Sequence, residues 1–247
     1  MSKTKIEWVK NPDGTQGYTI NPVKGLCPMA CSYCYARAMY KRFKWNPEVS
    51  WYPPAWDLVD TLKKPSRIFV GSTFELFHDS LPYNWMEYNL LTAKKYPQHT
   101  LIFLTKQPQN LLAWSPFPPN CYVGVTATNT AMLWEARKVL PVIKARIKFI
   151  SFEPLLEEIE SPVLRYLSVI ANWVILGAQT KPYKPPKIEW VQEIARAAEK
   201  AKVPVFLKDN LMPIMGGYPI PKDNMWAYRF EQGAFNLRQE MPGLDKP

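Results

Sequence analysis

The chain has 247 residues, 47% hydrophobic and 21% charged, without low-complexity tracts; this excludes a disordered or fibrous protein and fits a single domain, with a core at about 18–211 and a C-terminal extension at 212–247. The N-terminal Met-Ser-Lys-Thr-Lys-Ile-Glu-Trp has no apolar signal-peptide core, and no stretch approaches the roughly 18 apolar residues of a membrane span, so a cytoplasmic protein with no membrane partner is expected. The net charge of +10, from 31 Lys+Arg against 21 Asp+Glu, suits an anionic partner such as nucleic acid or phosphate, and equally a merely soluble surface.

In chain order, strands are expected at Tyr18–Val23, Arg67–Ser72, Thr100–Thr105, Tyr122–Thr126, Lys148–Phe152, Trp173–Leu176 and Val203–Leu207. Helices are expected between them, near 32–44, 83–96, 107–114, 130–140, 157–169 and 188–201. Ile68 to Val70, Leu101 to Leu104, Phe149 to Phe152 and Trp173 to Leu176 are nearly continuous apolar runs. That pattern belongs to parallel strands covered on both faces. In the last helix, Ile188, Val191, Ile194, Ala195 and Ala198 recur at three- and four-residue spacing and make one apolar stripe. The proline pairs Pro53-Pro54, Pro118-Pro119 and Pro185-Pro186 are expected to interrupt helix and strand alike.

Such alternation means a parallel α/β fold: a barrel, a partial barrel or a doubly wound sheet. Polar residues gather just after the strands, at Ser72 to Glu75, Thr105 to Gln107, Thr126 to Asn129, Glu153, Gln179 to Lys181 and Lys208 to Asn210. Ligands of parallel α/β folds bind at those carboxyl ends, so the six sites together suggest an active-site rim, although some must cap the helices that follow.

Three of the four cysteines fall within Cys27-Pro-Met-Ala-Cys31-Ser-Tyr-Cys34. In a cytosolic chain this clustering argues for metal or redox chemistry over disulfides. Three thiolates can hold three corners of a [4Fe–4S] cube and leave its fourth iron open to a ligand. The alternative is a structural zinc, which needs a fourth ligand from Cys121 or His78. Cys121 opens its strand, at the opposite end from Cys27, and is expected to be a buried structural thiol.

Cys27-x3-Cys31-x2-Cys34, with the aromatic Tyr33 before the last cysteine, resembles the defining pattern of the radical S-adenosylmethionine (SAM) superfamily. Lys5 to Trp8, Asn21 to Val23, Cys34 to Arg37, Leu76 to Asp79, Leu104 to Pro108, Gly124 to Thr126, Ser151 to Leu156 and Phe206 to Lys208 extend the resemblance. Over nearly the whole chain they are similar to a phage-associated radical SAM family of unassigned function, itself distantly similar to spore photoproduct lyase. The resemblance implies a partial (β/α)6 TIM-like barrel of parallel strands. It implies SAM chelated to the open iron, a flavodoxin- or ferredoxin-like electron donor, and a 5′-deoxyadenosyl radical that abstracts hydrogen from substrate. One departure is that a Gly-Gly-Glu-Ser pattern expected after the sixth strand reads Gly177-Ala178-Gln179-Thr180.

On this resemblance Gly71, Ser72 and Thr73 take the place of the turn that holds the SAM amino group, without its doubled glycine, and Tyr33 meets the adenine. Thr126 and Asn129 are candidates for the ribose or carboxylate, Asn129 being equally a helix cap. Glu153 is a candidate for a ribose hydroxyl or a substrate donor, or else a salt-bridged rim residue. Lys106 and Lys208 would neutralise a carboxylate or phosphate, or be solvated. His78 beside Asp79 would move a proton, or be an ordinary loop histidine; His99 lies at the wrong strand end. Gln179, Lys181 and Tyr183 lie in or beside a basic loop running to Lys187 that suits a nucleic-acid substrate, or is simply a stiff surface loop. The favoured substrate is a nucleic-acid base or nucleotide. A peptide, a small metabolite, or a non-catalytic basic protein with a structural zinc are the other readings.

Overall fold

Seven strands form one parallel sheet in the computed structural model, which describes residues 3–216, 222–231 and 234–243. They are β1 (Tyr18–Ile20), β2 (Arg67–Val70), β3 (Thr100–Thr105), β4 (Cys121–Thr126), β5 (Ile147–Phe152), β6 (Trp173–Leu176) and β7 (Val205–Leu207). Every residue of β2, β4, β6 and β7 is buried, which is why these runs are apolar without alternation. Their order in the sheet is their order in the chain. Each strand is added on the same side as the one before, the winding of the expected partial barrel. A doubly wound sheet reverses its order, and none occurs here.

Two compact units divide the chain within β4: Met1–Gly124 with Val142–Arg146, and Val125–Pro141 with Ile147–Pro247. In the first, β2 lies between β1 and β3, with Tyr18 opposite Ile68 and Phe69 opposite Ile102. Helices α1 (Tyr35–Phe43) and α2 (Tyr83–Lys95) belong to this unit. The first strand stops at Ile20 rather than Val23. Pro22, which has no N–H to give a ladder, leads into Val23–Lys24, which pairs antiparallel with Ser50–Trp51. Pro53-Pro54 does not break structure as expected. It opens the 3-10 helix Pro53–Trp56, because an N–H is dispensable in a first turn. Residues 108–114 are likewise 3-10 rather than α.

In the second unit, β6 lies between β5 and β7. The helices here are α3 (Thr130–Val139) and α4 (Ile188–Lys200). Val191, Ile194, Ala195 and Ala198 of α4 are buried, as the spacing predicts, and each of the larger two contributes about 1.5–3 kcal/mol by leaving water. The helix expected over 157–169 is two short ones, Ser161–Leu164 and Leu167–Ile170, since Pro162 can occupy only a first turn. The basic loop after β6 holds a small antiparallel hairpin, Gln179–Thr180 with Tyr183–Lys184. Among the described residues, no helix is long and apolar enough to cross a membrane.

Candidate functional site

Cys27, Cys31 and Cys34 line one solvent-open pocket in the first unit, a hollow of about 270 Å³ counted with its open mouth, and Arg37, Tyr40 and Thr73 contribute to its wall. The loop reaches the pocket through two successive turns, in which Ala30 N–H donates to the Cys27 carbonyl and Cys34 N–H to the Cys31 carbonyl. Helix α1 therefore starts at Tyr35 and not Ser32. Cys34 is its N-cap, with Sγ accepting from Arg37 N–H at 3.5 Å. The Arg37 guanidinium holds the Cys27 carbonyl at 2.8 Å. Gly25 before the loop has φ of +104°, and a Cβ there would lie 2.4 Å from the Glu48 carbonyl oxygen, so only glycine lets the two segments meet.

The loop after β2 completes this wall. Gly71, at φ +81°, leaves no room for a Cβ beside Leu76. Asn21, just after β1, accepts from the Ser72 hydroxyl at 3.3 Å and the Thr73 N–H at 3.2 Å. The Tyr35 hydroxyl donates to the Ser72 carbonyl at 2.9 Å. Next comes Glu75, a buried carboxylate that the sequence sets on the polar rim without giving it a role. It accepts from the Thr105 hydroxyl at 2.6 Å, Lys106 N–H at 2.8 Å and Phe77 N–H at 3.2 Å. Its own N–H donates to Cys27 Sγ at 3.4 Å. Burial pushes the Cys27 thiol above its ordinary range, and the Glu75 N–H opposes that rise. Glu75 thus ties the end of β3 to a candidate ligand. Only its place in the apolar run Phe74-Glu75-Leu76-Phe77 could have signalled this, because its partners are remote in sequence.

His78 is half-buried, and its Nδ1 accepts from Ser80 N–H at 3.1 Å in a local turn; the Ser80 hydroxyl lies 2.8 Å away. Asn110 donates to Asp79 at 2.6 Å and to the Phe77 carbonyl at 2.7 Å. Lys106 and Tyr33 are half-buried. Cys121 is fully buried, and burial pushes its thiol up to about 12. His99 is buried too, with Nδ1 accepting from Ser66 N–H.

The donor set fits an iron–sulfur cluster. Three cysteines line a pocket whose lining has no fourth cysteine or histidine. An N–H already points at one of the sulfurs, the kind of contact that stabilises cluster sulfur. Among the described residues, no three His, Cys, Asp or Glu side chains are placed to hold a single ion.

In the second unit the rim residues are tied to one another. Lys208, after β7, makes a 2.6 Å ion pair with Glu153, after β5, both side chains being more than four-fifths buried. The Ser151 hydroxyl donates to the other Glu153 oxygen at 3.1 Å. Gly177, after β6, gives the pair its space, since a Cβ there would lie 2.9 Å from Lys208 Cδ and 3.0 Å from Glu153 Cγ. Asn210 brackets Ala178, accepting from its N–H and donating to its carbonyl. Gln179 donates to the Pro182 carbonyl, and the exposed Tyr183 anchors its hydroxyl on the Asn210 carbonyl. Lys181 is exposed. Asn129 caps α3, its side chain accepting from Met132 N–H at 2.9 Å. Thr126, at the end of β4, buries a hydroxyl with no hydrogen-bond partner among the described residues. A polar ligand atom there would relieve a penalty of about 1–3 kcal/mol.

Comparison with solved structures finds spore photoproduct lyases. A variant with a tyrosine-to-phenylalanine substitution has a TM-score of 0.50 at 12% identity, covering 83% of this chain and 78% of that one. A cysteine-to-serine variant gives 0.49 at 13%, with the same coverage. A third structure, complexed with dinucleoside spore photoproduct, gives 0.42 at 14%, over 99% of this chain and 72% of that one. At these identities the likeness is one of fold. No curated protein matches the chain significantly. A family model does match, over residues 3–215, and the chain belongs to that family, described as Protein of unknown function (DUF5131).

Proposed function

We propose that this chain is a radical SAM enzyme acting on a nucleic-acid base or nucleotide, in modification or repair, with Cys27, Cys31 and Cys34 as the protein ligands of a [4Fe–4S] cluster. The observation that carries the reading is the meeting of these three thiols, in C-x3-C-x2-C spacing, around one pocket that supplies no fourth cysteine or histidine. When bound, the cluster and SAM supply a one-electron cleavage that yields a 5′-deoxyadenosyl radical for hydrogen abstraction. The chain's own part is to bind, orient and exclude. Arg37 and Glu75 hold the Cys27 segment through its carbonyl and its sulfur. Asn21 and Tyr35 fix the Gly71–Thr73 turn, whose polar groups would meet the SAM amino group. Thr126 offers a buried hydroxyl to a polar ligand atom. The Glu153–Lys208 pair keeps both signs of charge desolvated at the strand ends, where either partner would bond a ribose hydroxyl, a carboxylate or a phosphate. The net charge of +10 and the exposed Lys181 and Tyr183 support an anionic, base-bearing substrate. A flavodoxin- or ferredoxin-like protein is the electron donor in this reading.

The test is anaerobic reconstitution with iron and sulfide, followed by reduction in the presence of SAM. Brown protein that releases 5′-deoxyadenosine, with release abolished in Cys31→Ala, is the expected result. Colourless protein retaining zinc, with no SAM cleavage after reconstitution, would replace this reading with that of a basic binding protein.

A further inference from the structure

Next to the cysteine pocket the chain leaves an unusual stretch in water. Residues 41–50 are exposed without a break, although they include Phe43, Trp45 and Val49. Phe43 and Trp45 stack on each other, with centroids 5.4 Å apart and planes at 23°, yet remain 51% and 46% exposed. The Arg42 guanidinium lies 5.3 Å from the Phe43 ring centroid. Across the antiparallel pairing of Val23–Lys24 with Ser50–Trp51, the Lys24 ammonium lies 5.1 Å from the ring of Tyr52, itself 45% exposed. Within 41–52 the basic residues are Lys41, Arg42 and Lys44, and the one acidic residue is Glu48.

The patch is continuous with the pocket. Tyr40 lines the pocket and packs edge-on against Trp45, with centroids 5.3 Å apart. The Tyr40 hydroxyl accepts from Gly25 N–H at 2.7 Å, and Leu26 N–H donates to the Pro47 carbonyl. One ring therefore separates the exposed stack from the cysteines.

We propose that Phe43, Trp45 and Tyr52, with Lys24, Lys41, Arg42 and Lys44, form a platform on which unpaired bases of single-stranded nucleic acid stack beside the cysteine pocket. The platform rests on the nucleic-acid reading of the substrate and not on the radical chemistry. Half-exposed rings accompanied by cations suit a strand whose bases are free and whose phosphates are regularly spaced. A duplex keeps its base faces covered and cannot use the rings. An anionic membrane would call for a helix with its apolar face set apart from its cations. Here Arg42 lies over the ring of Phe43 and Lys24 over that of Tyr52.

The experiment is fluorescence anisotropy of the full chain with a labelled oligothymidylate, and with a duplex of equal length, across a salt series. Binding is expected to favour the single strand. Phe43→Ala with Trp45→Ala weakens it about ten-fold per ring, while Trp45→Phe retains most of the affinity. Arg42→Gln with Lys44→Gln, which leaves the rings in place, lowers the salt slope by about 0.7 per cation removed. Equal affinity for duplex and single strand with no loss in the ring variant overturns the platform. So does loss confined to a Lys181→Ala/Tyr183→Ala variant, or ring-dependent binding to phosphatidylserine vesicles with oligonucleotide binding unchanged. 5′-Deoxyadenosine release measured alongside separates the two readings: ring-dependent oligonucleotide binding in a protein that never cleaves SAM upholds the platform and removes the radical SAM reading.

Discussion

Cys121 begins β4 with no exposed surface, and burial pushes its thiol from 9.0 to about 12. The sign of the consequence follows from which state loses its proton first. Above pH 9 the unfolded chain releases the Cys121 proton, while the folded chain keeps it until about 12. This group's contribution to stability is therefore complete below pH 9 and falls by about 1.4 kcal/mol per pH unit through that window. Cys121→Ala removes the titration along with a little packing, so its stability should fall less steeply than wild type between pH 9 and 11 in urea titrations. Parallel curves for the two proteins would mean that the thiolate is not penalised by its surroundings. The position was legible as structural because Cys121 opens its strand, at the end away from the polar rim, and the structure buries it there. Glu75 is the opposite case. Flanked by Phe74 and Leu76, its carboxylate accepts from Thr105 and Lys106, 30 and 31 residues away, and its N–H donates to Cys27, 48 residues away, so no local pattern names these partners.

At the scale of elements, Glu75 fastens the loop after β2 to the end of β3, and its three donors make the fastening testable. A glutamine there keeps the shape but replaces one acceptor oxygen with an NH2, which faces either the Lys106 N–H or the Thr105 and Phe77 donors. Hydrogen bonds to a charged acceptor are worth about 1.5–3 kcal/mol. Glu75→Gln should therefore lower stability by about 2 kcal/mol, seen as a lower urea midpoint at unchanged m-value, and Thr105→Val should lower it less because two of the donors keep their acceptor. An unshifted midpoint in Glu75→Gln would show that the loop is held by other contacts. The elements that were legible are those whose own sequence decides them. β3 and β6 match their expected bounds because both faces are buried, and α2 and α4 fall within a residue of expectation because one stripe is. Where a proline can either stop an element or start one, the local pattern is ambiguous, and Pro53-Pro54 and Pro162 resolve it by starting helical turns. The Gln179–Lys184 hairpin and the Val23–Lys24/Ser50–Trp51 pairing are two residues deep on each strand, too short to set up any alternation.

At the scale of the molecule, both edges of the seven-stranded sheet have to be protected from pairing with other chains. Beside β1 the cover is Lys3, bridged antiparallel to Tyr18, with Thr4 N–H donating to the Gly17 carbonyl. Beside β7 it comes from the chain's last described residues, beyond the 3–215 matched by the family model. Leu207 N–H donates to the Arg238 carbonyl, Gln239 bridges Phe206, and Glu240 N–H donates to the Val205 carbonyl. The Glu240 carboxylate accepts from Val205 N–H at 2.9 Å and pairs with Arg238 at 2.9 Å, while its carbonyl accepts from the buried indole of Trp173 at 2.8 Å. A chain ended at residue 226 would therefore lose the donors and acceptors along β7 and leave the Trp173 N–H without its carbonyl. Each buried group so orphaned costs about 1–3 kcal/mol, and the bared edge is a template for association. The truncated chain should unfold several degrees lower than the full chain and elute partly as oligomers, with Trp173 more open to a fluorescence quencher, although every candidate cluster ligand is retained. A truncated chain that stays monomeric with an unchanged Tm would mean that β7 is protected without the C-terminal segment, and that residues beyond 226 serve something other than the integrity of the sheet.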